Sequence, residues 1–372
     1  MKILVDILGG DTAPKNMVEG AVLAMREDAG ITCALVGDEN YARPIIEKAG
    51  LADRVEYIHT TENIAFDEQP TQAIRRPGTS MMIGLEKLKF SGDGSSVGGS
   101  GGGVGSDVDG ADDAAQDEYK GFVSAGSTGA LLAGAFFKIG RIDGISRPTL
   151  CPWIPTKRDD VKMVLADAGA NMDCSPINLV HFAIMTEAYM RLALGVKNPR
   201  VALVNVGTED SKGNELTHKT FPILRALADR GVFNFVGNME ARDAVSGDYD
   251  VLICDGFVGN VVLKCIEGAM SVMGHKVNEI CHASLKCKIG GLLLRKRLKK
   301  FKSTFHEDAT GGSPLLGIKK PVIKAHGNSS ARAFKNAILC AATSARCDVS
   351  GAIRETIEKH KDLIAEMTAE KK

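Results

Sequence analysis

Short apolar runs that close on Gly or Asp recur along this 372-residue chain and restrict its fold more than any other feature. They occupy residues 3–8, 34–36, 55–58, 122–123, 163–166, 201–206, 233–236, 251–254 and 322–323, with helical apolar spacing between most of them. Continuous apolar strands alternating with helices predict a three-layer α/β fold around a largely parallel sheet buried on both faces. Ligands in such folds gather beyond the carboxyl ends of the strands. DILGGD (6–11), SAGSTG (124–129), DAGAN (167–171), NVGTEDSKGN (205–214) and CDGFVGN (254–260) all fall there. Gly and Asp also make ordinary strand-to-helix turns; five such loops together favour a ligand-binding edge.

Charge narrows the function classes. Lys plus Arg and Asp plus Glu both total 46, so nothing marks the chain as a nucleic-acid binder. Its nine cysteines are scattered and never spaced CxxC, the pattern of reduced thiols in a cytoplasmic protein. The first apolar run meets Asp6 too early for a signal-peptide core, and no uninterrupted run approaches a membrane span.

Two segments depart from the α/β pattern. Residues 91–118 carry seven acidic side chains, no basic ones and a run of glycines, which predicts a disordered insertion between a helix ending near Lys89 and a strand starting near Gly121. Residues 281–306 carry eight Lys or Arg and no acid. Leu285, Ile289 and Leu292 share one helical face, whereas Leu294, Leu298, Phe301 and Phe305 fall on roughly the opposite one. That phase break predicts a protruding basic hairpin of two short helices joined by an apolar hinge at 290–294.

No GxGxxG, GxxxxGK[ST] or HExxH motif is present, so Rossmann dehydrogenases, P-loop kinases and zinc hydrolases lack local support. What remains is a set of Gly-rich turns whose backbone N–H groups can cradle an anion. The loop NVGTEDSKGN sets Lys212 beside Gly213 ahead of a helix, a place for a cation to meet a phosphate dianion. Asn260 could present its amide to a ligand or merely cap a helix, with Asp255 and Gly256 shaping its turn. Asn171, Asp173, Ser329 and Ser330 complete the polar candidates. His326 could serve as acid or base, or be structural at a strand end. Asp6, Gly9, Gly10 and Asp11 shape the first strand-end loop, where Asp11 could be only a helix cap.

VDILGGDTAPKNMVEGA, FVSAGSTGALLAG, LADAGANMDCSPINLVHFAIM, NPRVALVNVGTEDSKGN, DVLICDGFVGNVVLKCIEG and AHGNSSARAFKNAI resemble successive blocks of the bacterial phosphate acyltransferases of phospholipid synthesis. The blocks keep the family's order and cover nearly the whole chain outside 91–118. The resemblance implies acyl transfer from acyl carrier protein to inorganic phosphate, giving an acyl phosphate, with no cofactor and no metal. It also implies a two-lobed fold like that of isocitrate and isopropylmalate dehydrogenases, and a homodimer. It links the protruding helices to a peripheral membrane association, with Leu292, Leu293 and Leu294 expected at the interface. The acyl phosphate would then be delivered to a downstream glycerol-3-phosphate acyltransferase. Ser127, beside Thr128, stands where the family usually has Asn, and Ile7-Leu8 where it has Ala-Met.

Phosphate attack on a thioester needs a cradle for the nucleophile and donors for the oxyanion, while a thiol of pKa about 8.5 leaves readily. No triad is required. A covalent acyl-enzyme on Cys174 or Cys254 is the more complicated route. Competing readings are a short-chain phosphate acyltransferase using acyl-coenzyme A and a noncatalytic membrane-surface adaptor.

Overall fold

Each of the nine apolar runs forms a strand. The computed structural model describes residues 1–90, 118–158, 161–304 and 311–368. The chain opens with β1 (Lys2–Asp6), α1 (Lys15–Glu27), β2 (Thr32–Gly37), α2 (Glu39–Lys48) and β3 (Val55–His59). α3 (Pro70–Ala73), α4 (Ser80–Phe90), β4 (Tyr119–Ser124) and α5 (Thr128–Gly134) follow. Next come β5 (Thr149–Leu150), β6 (Trp153–Ile154), β7 (Met163–Ala166), α6 (Pro176–Leu192), β8 (Arg200–Asn205) and α7 (Glu215–Asp229). After β9 (Asn234–Glu240) and β10 (Val251–Ile253) stand α8 (Gly256–His282) and α9 (Leu285–Thr304). β11 (Ser313–Leu316), β12 (Val322–Lys324), α10 (Ala331–Arg346), α11 (Val349–Lys359) and α12 (Lys361–Thr368) complete the described chain. The acidic insertion expected at 91–118 lies outside the described residues except for the exposed Glu118.

Two compact units result, Met1–Gly140 with Lys320–Ala345, and Arg141–Lys319 with Arg346–Lys372. In the first, five strands lie in the order β3-β2-β1-β4-β12, each pairing parallel. Ile3, Val5 and Val123 pack with Met17, Met25, Ile46, Phe334 and Ile338 from α1, α2 and α10. Phe122 turns to the opposite face, where α4 brings Gly84 against its ring. Both faces are therefore covered, which is why these strands read as continuous apolar runs rather than alternating ones.

The second unit holds a sheet in the order β6-β7-β10-β8-β9, parallel except for β6, and the antiparallel pair of β5 with β11. The two-residue strands β5 and β6 and the short β11 escaped the sequence pattern because they are too brief to show a period. α6 is buried around most of its circumference, as its apolar run PINLVHFAIM requires. Val258, Val262, Leu263 and Ile266 pack the start of α8 on the unit's core. Farther along α8, Val272, Met273 and Ile280 are exposed. By length and composition alone α8 could cross a membrane, although no single apolar run in the sequence suggested it. It also carries the ion pairs Lys264–Glu267 and Lys276–Glu279.

The basic segment differs from expectation. α9 runs unbroken through Gly290-Gly291, and the chain reverses instead at Ala283-Ser284, between α8 and α9. A Cβ on Gly291 would lie 3.2 Å from Cys281 Cβ, whereas ten residues along one straight helix span about 15 Å. The glycine thus lies where the two helices meet; its cost within a helix is only about 1 kcal/mol. Leu292, Leu293 and Leu294 are helical and exposed rather than part of a hinge.

His181 on α6 is 4% exposed, accepts from Ser146 N at 3.3 Å and lies 3.1 Å from Ser146 Oγ. Burial lowers its pKa to about 4. The unfolded chain therefore takes up a proton near pH 6.5 that the native state refuses, so stability falls as pH drops from 6.5 toward 4. Denaturant unfolding of wild type and His181→Gln across this range should show wild type losing up to about 3 kcal/mol more than the variant. Parallel pH profiles would contradict this assignment.

Candidate active site

Within the second unit, β7, β10 and β8 are adjacent and parallel, so the loops that follow them open at one edge. Asp167, which follows β7, is buried and accepts from Thr149 Oγ1 (3.0 Å), Leu150 N (2.9 Å), Asn171 N (2.6 Å) and Asn171 Nδ2 (3.0 Å). Burial raises its pKa, against the pull of those hydrogen bonds. Asn171 donates from Nδ2 to Pro148 O at 2.8 Å as well, and its carbonyl accepts from Gly256 N at 2.8 Å. Asn171 therefore holds loops together rather than facing a ligand; Asp173 beyond it is exposed.

The CDGFVGN turn is shaped by close approach. Asp255 caps α8, accepting from Val258 N at 2.8 Å. A Cβ on Gly256 would lie 2.6 Å from Asn171 O, and one on Gly259 only 1.9 Å from Asp167 O. Since Asp255 is the cap, Asn260 is not: it sits one turn into α8, exposed, with Gly169 packed beside it at 3.6 Å from Cβ to Cβ position.

The loop after β8 is pinned by amides. Asn205 Nδ2 donates to Lys212 O at 2.8 Å, Asn205 Oδ1 accepts from Val206 N at 2.9 Å, and Asn238 Nδ2 donates to Glu209 O at 3.1 Å. Gly213 has φ +123°, a conformation open to glycine, and its α-carbon faces Thr217 Oγ1 too closely for any side chain. Asn214 and Thr217 then form a reciprocal cap that starts α7. The Lys212 side chain is exposed on this fixed loop, ahead of a 15-residue helix.

The first unit gathers the other candidates beyond β1, β4 and β12, again neighbouring parallel strands. Asp6 is buried and accepts from Ser80 Oγ and Ser124 Oγ, both at 2.7 Å, and from Leu8 N and Gly9 N, both at 3.1 Å. It anchors the loop from beneath. Gly10 O accepts from Ala13 N at 3.4 Å, and exposed Asp11 donates its N–H to Gly327 O at 2.7 Å. Ser127 caps α5, accepting from Ala130 N at 3.5 Å, a task Asn performs equally well; Thr128 beside it is exposed. Ser330 Oγ accepts from Ala333 N at 3.2 Å at the start of α10. The buried Ser329 accepts at its carbonyl from Thr12 Oγ1 and Asn16 Nδ2, both at 3.0 Å. His326 is exposed.

The fatty acid synthesis protein family model matches residues 1–105 and 102–351. A phosphate acyltransferase from Brevibacillus brevis is 41% identical over 97% of this chain and 98% of its own length. One from Clostridioides difficile is 42% identical over 91% of each. The chain belongs to the fatty acid synthesis protein family. Among solved structures, a phosphotransacetylase from Streptococcus pyogenes aligns over 93% of this chain and 94% of that one, with TM-score 0.54 and 18% identity. Another, from Staphylococcus aureus, covers the same shares at TM-score 0.51 and 16% identity. These two share the fold. The chain is thus an acyltransferase-class enzyme on an α/β scaffold of largely parallel sheets.

For an acyltransferase of this family the cysteines matter. No disulfide joins any of the nine. Burial raises Cys174 to about 12 and pushes Cys254 well up, with Asp167 and Asp255 adding repulsion. Neither is a thiolate near neutrality, which disfavours an acyl-enzyme at either position. Sequence reasoning missed Asp167, although it lies in the quoted DAGAN motif, and Lys324, which showed no signal beyond its place at a strand end. Lys324 Nζ donates to Ala325 O and, at 3.4 Å, to Ala125 O, joining β12 to β4. Burial lowers its pKa to about 8 against the attraction of Asp11 and Asp6.

Because a methyl at Gly259 would overlap backbone rather than a movable side chain, Gly259→Ala should destabilise the enzyme by more than about 3 kcal/mol or prevent folding. Gly268→Ala, in open space on the same helix, should be neutral or slightly stabilising. Thermal melts of the two variants test the contrast, and equal melting points would contradict the close approach.

Proposed function

We propose that the enzyme transfers a fatty acyl group from the thioester of acyl carrier protein to inorganic phosphate, releasing an acyl phosphate for phospholipid synthesis. The observation that carries this is the exposed Lys212 on its amide-pinned loop ahead of α7, next in the sheet to the β10 end from which α8 carries Asn260. Phosphate bound by the lysine ammonium and nearby backbone N–H groups is held as nucleophile. Its oxygen attacks the thioester carbon, Asn260 donates to the developing oxyanion, and the thiolate departs without needing an acid of high strength. The names of the relatives at about 40% identity support phosphate as acceptor.

The surroundings of the reaction belong to the same reading. The enzyme acts as a homodimer in the cytoplasm and makes reversible contact with anionic membranes through α9. Exposed Leu292, Leu293 and Leu294 beside Lys286, Lys288 and Arg295 support that contact. Each Lys or Arg near such a surface contributes about 1 kcal/mol, which salt weakens. The acyl phosphate is then released where a membrane-resident glycerol-3-phosphate acyltransferase can take it.

Incubation of the purified chain with palmitoyl-acyl carrier protein and phosphate should yield acyl phosphate and one free thiol per turnover. Lys212→Ala should lower turnover at least about a hundredfold with an unchanged melting temperature. Turnover near wild type at saturating phosphate would remove Lys212 from the mechanism, and preference for acyl-coenzyme A would replace the donor. In sedimentation with anionic vesicles, Leu292, Leu293 and Leu294 all replaced by Asp should abolish binding while sparing activity and dimer mass. A monomeric or unfolded variant would make these leucines interface core instead.

A further inference from the structure

Three large apolar side chains stand exposed just beyond the strand ends around the candidate site of the second unit. Met172 is 49% exposed, Val206 78% and Phe257 64%. They follow β7, β8 and β10, and β10 lies between the other two strands. Neighbouring strands are about 4.8 Å apart, so the three strand ends span roughly 10 Å. Asn171 and Gly256, the residues before Met172 and Phe257, are hydrogen-bonded to each other at 2.8 Å. Val206 precedes Gly207, whose Cβ position lies 3.0 Å from Lys212 Cγ. Phe257 and Asn260 are three residues apart on α8, and Val261, 53% exposed, continues the Phe257 face one turn on.

None of these side chains belongs to the unit's core, and the loops carrying them are fixed by the hydrogen bonds of Asp167, Asn171 and Asn205. Their apolar surfaces are held in position beside the groups that would bind phosphate and the thioester oxygen. In an acyl transfer, the carbons next to the reacting carbonyl must rest within a few ångströms of those groups. An aliphatic chain gains there only from apolar surface.

We propose that Met172, Val206 and Phe257 form the acyl rest of this site, on which the first methylenes of the acyl chain lie, and that they set its preference for long over short chains. The proposal deepens the acyl-transfer reading and rests on it. No proton or bond changes at these residues; they act by removing hydrocarbon from water.

Binding of octylphosphonate and methylphosphonate to the full-length chain, measured by calorimetry, separates the acyl rest from the anion cradle. Wild type should bind octylphosphonate at least about tenfold more tightly, the scale of burying a few methylenes. Replacing Met172, Val206 and Phe257 together by Ser should remove that preference and leave methylphosphonate binding unchanged. These positions are exposed, so the variant should keep its melting temperature; the single variant Phe257→Ser, losing part of the preference, serves if the triple one does not fold. Wild type without chain-length preference, or equal loss for both ligands, overturns the proposal. So does a variant with unaltered octylphosphonate binding but altered oligomeric mass, which would make the patch a contact between chains. Turnover of acyl thioesters by wild type is a separate measurement: its absence would sink the acyl-transfer reading, while a lost octyl preference in the variant would still establish an apolar rest.

Discussion

The buried carboxylate of Asp167 is the contact on which the strand-end arrangement of the second unit depends. Its oxygens take four hydrogen bonds, from β5 and from the loop it begins. A carboxylate out of water costs several kcal/mol unless its lone pairs are matched, so each donor is required where it stands. The same residue donates its backbone N–H to Cys254 O, just past β10, at 3.0 Å, and its carbonyl occupies the space beside Gly259. Thr149, Asn171, Gly256 and Gly259 are therefore parts of one solution to burying one charge.

The first unit uses the same device. Asp6 ends β1 and draws donors from β4 and α4, while Lys324 at the end of β12 donates to the carbonyl that follows β4. In both units a buried acid below a strand-end loop fixes backbone that would otherwise be free to fray. Loops fixed in this way can present side chains to solvent without losing their geometry, and such preorganisation is what lets a positioned cation act on a transition state.

Polar residues in the strand-end motifs thus divide into two groups. Asp6, Asn171, Ser127, Ser329 and Asp255 spend their hydrogen-bonding capacity on the fold. Lys212, Asn260, Asp173 and His326 reach solvent. In the acyl-transfer reading proposed above, the chemistry draws on the second group, and the exposed apolar side chains near Lys212 and Asn260 would suit a substrate that is anionic at one end and aliphatic at the other.

The sequence by itself determined the α/β class, the nine main strands and the loops that carry polar groups, because strands buried on both faces must be continuously apolar and tight turns need Gly or Asp. It also carried the family, since the strand-end blocks keep their residues and order. It could not divide each block into anchors and exposed groups. Asp167 and Asp173 look alike in DAGANMD, yet one is buried and saturated and the other is exposed. It misplaced the reversal in the basic segment, because a Gly-Gly pair reads as a hinge until a neighbouring helix is seen to pack against it. Burial and hydrogen-bond partners come from residues distant in the chain. Only the tertiary structure could decide them.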